Sequence, residues 1–238
     1  MAMRSTMQLM QPAVLMRSRI FDGLTDDERE RWLSRATSAT LERGHTLARQ
    51  GEPARHFYLL ETGFLKVVQQ TAEGAEVIIR FIAPGDPFGG VVALGDAVYP
   101  VTAMVVQPSV TRVWTRQAVA ELLGQNPQVR VNIMREMSLH MSDALTRMRE
   151  LTTARVGQRL AHTLVRLARQ CGRAEGGGVL VTQPFTRQEL ADLAGTTLYT
   201  ASRTLAKWES LGLLESRKRL LFLRSVKKLE DVAGADDD

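Results

Sequence analysis

One cysteine, four histidines and the lack of any long apolar run rule out several kinds of protein. Cys171 has no partner for an internal disulfide, and one thiol cannot supply the four thiolates of an iron-sulfur cluster held within one chain. It ends an amphipathic stretch and has no second cysteine nearby, so it reads as a small packed residue and not as a redox sensor. No stretch approaches the roughly 18 consecutive apolar residues of a membrane span. The opening segment MAMRSTMQLMQPAVLMRSRIF is broken by Arg and Pro and has no clear small-residue cleavage site. A soluble, cytoplasmic protein without a membrane partner is expected. The four histidines show no paired spacing, whereas metal-dependent β-roll enzymes need clustered His and carboxylate ligands. No catalytic residue and no metal ligand is therefore assigned, and the enzyme class stands only as the opposing alternative.

The chain has 238 residues, 44% of them hydrophobic, enough for one large domain or two modest ones with packed cores. Its net charge of +5 is unevenly placed: residues 154–230 hold 14 lysines and arginines against 6 acids, whereas residues 1–153 hold 17 against 16. A basic C-terminal third is the electrostatic footprint expected of a domain that meets a polyanion.

That third contains TRQELADLAGTTLYTASRTLAKWESLGLL, residues 186–214. Thr186 three residues before Glu189 is a capping box that opens a short helix at Arg187, with Leu190, Leu193 and Ala194 on one face. Gly195 follows where a chain leaving a helix needs positive φ. Thr196 and Thr197 offer a second N-cap, and Ala201, Leu205 and Trp208 recur at i, i+4 and i+7 on a second helix ending near Gly212. Two helices around a three-residue turn form the unit whose second helix enters the DNA major groove. Thr197, Tyr199, Thr200, Ser202 and Arg203 lie off the apolar stripe and are the candidate contacts. The planar fork of Arg203 can donate to guanine O6 and N7 together.

The stretch resembles the helix-turn-helix of the CRP/FNR family of bacterial transcription regulators, through Thr186, Arg187, Gln188, Glu189, Gly195, Thr200, Ser202, Arg203, Leu205 and Leu213. The resemblance implies that Arg203 reads a guanine in each half-site and that Ser202 holds the serine position of the FNR branch. It departs at Tyr199, where the family has a glutamate. The single cysteine excludes the cluster of the oxygen-sensing FNR type.

Between residues 39 and 115, short stretches rich in β-branched and aromatic residues (HFYLLETG, FLKVVQQT, EVIIRFIA, VTAMVV, VTRVWT) are punctuated by Gly44, Gly51, Gly63, Gly74 and Gly85. Such punctuation predicts short antiparallel strands closing into a roll. GEPARHFYLLETGFLKV and GDPFGG resemble the effector-binding β-roll of the same family and the entry to its phosphate cassette, so the likeness covers roughly residues 20–225. It implies an effector pocket at Gly89, Gly90, Val91, Val101, Thr102, Ala144 and Leu145. Members that bind cyclic AMP carry a ribose-binding glutamate, a phosphate-neutralising arginine and a polar pair for adenine, and these positions fall on Val91, Val101 and Ala144 with Leu145. Only Thr102 keeps a matching hydroxyl. Burying a phosphate without its cation costs several kcal/mol, so no useful cyclic AMP affinity is expected.

Thr25 and Glu28 form another capping box, for a helix through about Ala36, and Arg116–Gly124 reads as a short helix. From Asn126, Met134, Met141 and Met148 repeat every seven residues, as do Met137, Ala144 and Leu151. That is the seam of a parallel two-stranded coiled coil, and the family's corresponding helix is its dimer axis. Residues 151–155 read as a hinge, and LLESRKRLLFLRS as a hairpin wing whose Arg217, Lys218 and Arg219 suit phosphates.

The fold class expected is thus α+β: an N-terminal arm (1–22), an antiparallel jelly-roll-like β-roll (23–125), a dimerisation helix (126–153) and a winged helix-turn-helix (154–238). The expected protein is a homodimeric regulator of double-stranded DNA with RNA polymerase as a further partner. Its effector stays open between an apolar or non-nucleotide ligand, haem, and none. For haem, which some relatives hold, the candidates are His45, His56 and His140, none in an attachment motif.

Overall fold

A computed structural model describes residues 13–95, 97–218 and 220–234. The chain divides into two compact units between Ser142 and Asp143, inside the long helix.

The first unit begins with α1 (Ala13–Met16), a single 3-10 turn (Arg19–Phe21) and α2 (Asp26–Ser34). The segment expected to be a loose arm is anchored here, because Leu15, Ile20 and Phe21 are fully buried; residues 1–12 lie outside the described residues. Thr25 and Glu28 form the expected capping box. Then follow β1 (Thr37–Leu41), β2 (Thr46–Ala48), β3 (His56–Gln70), β4 (Glu76–Ile82), β5 (Pro87–Phe88) and β6 (Thr102–Thr115). They form one antiparallel sheet in the order β1-β6-β3-β4, with β2 paired to β6 and β5 to β3.

Where the sequence suggested four short strands, the structure has two long ones, β3 and β6. They pair from His56 with Thr115 to Val68 with Thr102, and the register slips around Thr62 and Phe64. Gly63 bends the ribbon without ending the ladder, and the exposed Pro108 sits at the slip, where its missing N–H costs no ladder bond.

The core concentrates rings. Trp32 and Trp114 meet edge to face, and Phe21 and Phe57 flank them. Indole N–H groups need partners when buried: Trp114 Nε1 donates to the Trp32 carbonyl at 2.8 Å and Trp32 Nε1 to Asn126 Oδ1 at 3.2 Å. Asn126 Nδ2 donates in turn to Glu28. One capping carboxylate therefore also fixes the junction of α3 (Arg116–Gln125) and α4 (Pro127–Thr153).

The second unit contains the end of α4, then α5 (Val156–Cys171), β7 (Gly172–Glu175), β8 (Gly178–Val181), α6 (Arg187–Leu193), α7 (Leu198–Ser210), β9 (Leu214–Arg217), β10 (Leu220–Leu223) and α8 (Val226–Gly234). The strands form an antiparallel sheet in the order β7-β8-β10-β9. α5 buries Leu160, Leu164 and Leu167. Cys171 is a buried residue whose thiol donates to the Leu167 carbonyl at 3.2 Å. Among the described residues no helix is long and apolar enough to cross a membrane.

Candidate nucleic-acid interface and effector cassette

The helix-turn-helix is built by two caps and a clamp. Thr186 and Glu189 close a complete capping box on α6, and the Thr197 hydroxyl accepts from Thr200 N to start α7. Gly195 between them has φ 60°, which favours glycine, and a β-carbon there would displace the terminal methyl of the exposed Leu151. The guanidinium of Arg159 donates through Nε to the Ala194 carbonyl (2.8 Å), through Nη2 to Gly195 (3.0 Å) and through Nη1 to Ala154 (2.9 Å). These are carbonyls that helix ends leave without partners.

α7 buries Ala201, Leu205 and Trp208. At about 100° per residue, Tyr199 and Arg203 fall at the centre of the opposite face, with Thr200 and Ser202 on its flanks. Tyr199 is 73% exposed, and Arg203 Cζ stands 5.8 Å from the centre of its ring. The Thr197 hydroxyl also donates to Thr200 Oγ1 at 3.0 Å.

In the wing, Lys218 is exposed at the β9–β10 turn with φ 48°. Arg219 lies outside the described residues. Arg217, expected to meet phosphates, pairs in the free chain with Glu215 and Glu175, its Cζ lies 3.7 Å over the Phe222 ring, and its side chain stays 37% exposed. Alternation along β9 turns it to the face opposite Ser216, a placement that position at a hairpin tip does not reveal.

In the β-roll, β5 leads into the cassette. Gly89 lies against the His56 carbonyl, and a single 3-10 stretch (Gly90–Leu94) follows. Tyr99 donates its hydroxyl to the His56 carbonyl (2.8 Å) and accepts from His56 N (3.1 Å), and its ring stacks on Phe88. Val91 and Val101 are partly buried against the core. Thr102 is buried, and its hydroxyl accepts from Gln50 N at 3.0 Å. Ala144 and Leu145 are exposed on α4, within the second unit.

Along α4, Met134, Met141 and Met148 are exposed. The companion row is divided. Met137 packs on the β-roll over Gly90, whereas Leu151 touches Gly195 with one methyl and stays 49% exposed. Val131 and Leu145, absent from the expected seam, are exposed beside the methionines.

Residues 39–126 match the family described as the cyclic nucleotide-binding domain, and residues 158–232 match the Crp-like helix-turn-helix domain. The chain belongs to the CRP/FNR family of transcription regulators. Its relatives include the CRP-like cAMP-activated global transcriptional regulator of Mycobacterium tuberculosis, 23% identical over 91% of this chain and 96% of that protein. The transcriptional activator FnrA of Stutzerimonas stutzeri is 28% identical over 83% of this chain and 81% of its own. FixK2 of Bradyrhizobium japonicum shares the fold with a TM-score of 0.74, at 24% identity over 85% of this chain and 99% of that one.

Against the ligands of this CRP/FNR family the cassette can be tested residue by residue. A four-thiolate cluster does not fit a chain whose only thiol is buried in α5. Cyclic AMP fits poorly. No carboxylate stands at residues 89–91 and no cation at 101, and the one retained hydroxyl, Thr102, is a neutral donor that cannot offset a phosphate charge. The haem candidates are dispersed. His45 is exposed ahead of β2, His56 opens β3, and His140 lies on α4, where burial and then Arg80 pull its pKa down to about 4. Among the described residues no group of three or more His, Cys, Asp or Glu could hold a metal ion.

Sequence reasoning missed Tyr99 and the Arg159 clamp. Neither carries a periodic signal, because both work through backbone carbonyls that only the fold brings near.

Proposed function

We propose that this CRP/FNR regulator acts as a cytoplasmic homodimer on a pseudo-palindromic operator, with α7 of each copy in the major groove and RNA polymerase as the further partner. The observation that carries the reading is the split of α7 into a buried Ala201-Leu205-Trp208 face and an outward Tyr199-Arg203 face. Two-fold symmetry requires half-sites about 34 Å apart, one helical turn of DNA. The exposed Met134, Met141 and Met148 supply an apolar row for a second copy of α4.

In vitro selection of bound duplexes tests this reading. Arg203→Ala should cost roughly 1 to 3 kcal/mol and remove the preference for guanine at one position of each half-site. Lys218→Asn, chosen because Asn tolerates positive φ, should weaken all sequences alike and flatten the salt dependence. Full discrimination by the Arg203 variant would refute the assignment.

The effector reading follows from chemistry. Val91 and Val101 offer apolar surface where a nucleotide needs an anion and a cation, so the effector is an apolar or non-nucleotide molecule, or none. Titration calorimetry with cyclic AMP should show no binding in the micromolar range; heat at that concentration would overturn the reading. An effector switches such a protein only through unequal affinity for its two states.

A further inference from the structure

We propose that Tyr199, braced by Arg203, reads the C5-methyl group of a thymine within two base pairs of the guanine taken by Arg203. This rests on the DNA-binding reading above and adds a second base to what the helix recognises.

The geometry narrows the choice of reader. Of the five candidates on α7, Thr197 and Thr200 bond to one another, and Ser202 lies on the flank. Tyr199 and Arg203 alone of the five occupy the centre of the outward face, roughly 40° apart around the helix axis. A ring 73% exposed would ordinarily be free to swing. Here the guanidinium 5.8 Å from its centre lies within the range of a cation–π contact, about 6 Å, and restrains it. At 5.8 Å the guanidinium attracts the ring by its charge without lying flat on it. Its N–H donors are therefore left for a base edge.

The chemistry then selects the base. A glutamate at this place would accept from an exocyclic amino group as an anion; a tyrosine carries no charge, and its one polar atom, the phenol oxygen, sits at the tip of the ring. Its surface is apolar, and the thymine methyl is the one apolar group that base pairs present in the major groove. Four residues of helix rise about 6 Å, a little under two base-pair steps of about 3.4 Å. The thymine thus stands within two base pairs of the guanine.

The test uses the full chain and a selected duplex in which each thymine is replaced singly by deoxyuridine, which deletes only the methyl. One replacement in each half-site, within two base pairs of the guanine, should weaken wild-type binding about fourfold, the worth of one buried methyl group. Tyr199→Ala should bind both duplexes equally, and Tyr199→Phe should keep the wild-type difference. An unchanged deoxyuridine penalty in Tyr199→Ala would overturn the proposal, and so would a Phe variant that behaves like Ala. If Arg203→Ala loses guanine selectivity while every deoxyuridine is harmless, only this proposal fails; if guanine selectivity survives in Arg203→Ala, the recognition reading itself fails.

Discussion

Gly63→Ala should destabilise the β-roll by about 4 kcal/mol, adding backbone strain of about 1–3 kcal/mol to a similar cost of forced overpacking. Gly63 has φ 91°. A β-carbon there would lie 2.1 Å from Ser109 Oγ and 2.6 Å from both the Pro108 carbonyl and Ser109 Cα. Ser109 cannot step aside cheaply, since it is 1% exposed, accepts from Phe64 N and donates to the Gln107 carbonyl. Two of the three obstructing atoms are backbone, so relief requires β3 and β6 to part at the slip. Gly74→Ala is the matched control: its φ is 83°, but nothing lies within 4 Å of the added carbon. It should cost about 1 kcal/mol, the conformational share alone. Thermal unfolding of the two variants followed by Trp32 and Trp114 fluorescence measures the difference. Equal midpoints would mean that close approach across the ribbon contributes nothing.

The same glycine marks how far the sequence could be read. Its turn-forming character was legible, yet a left-handed glycine can end a strand or bend one, and the choice depends on whether the next residues find the same partner. The ladder from Leu65 to Val68 finds β6 again, a contact between residues some forty positions apart that local pattern cannot report. The caps at Thr25, Thr186 and Thr197 were legible because their hydrogen bonds span three residues. The apolar stripe of α7 was legible for the same reason. Arg217 shows the converse. Its basic neighbours suggested a phosphate contact, whereas its partners Glu175 and Phe222 come from another strand and from across the hairpin. The cassette was legible chiefly as a set of absences, Val91 and Val101 for charged groups, and the stacking of Tyr99 on Phe88 beside Gly89 was not.

Glu150→Gln should cost the DNA-binding unit about 2–3 kcal/mol, just under the roughly 3–5 kcal/mol that breaking a fully buried pair costs. The Glu150 carboxylate is 7% exposed and receives Arg166 Nη1 at 2.8 and 2.7 Å on its two oxygens, with His162 Nδ1 3.6 Å away. Arg147 lies close by: burial first, and then repulsion from Arg166, push its pKa below the ordinary range, while Glu150 and Asp143 oppose that fall. Glutamine keeps the shape and one acceptor but removes the negative charge that Glu150 sets against Arg166, leaving Arg147 and Arg166 to repel each other. The side chain of Arg166 is 31% exposed, so water recovers part of the loss and the estimate stays below the fully buried limit. Pairing Glu150→Leu with Arg166→Met should restore most of the stability, because matched apolar replacements of a buried ion pair are often neutral. Denaturant unfolding of both single variants and the double variant gives the coupling energy. Simple additivity would show that the pair does not act as a unit. The consequence reaches beyond stability. Glu150 through Arg166, Leu151 through Gly195 and Ala154 through Arg159 together fasten the last turns of α4 to α5 and the helix-turn-helix. The end of α4 is thus packed as part of the DNA-binding unit.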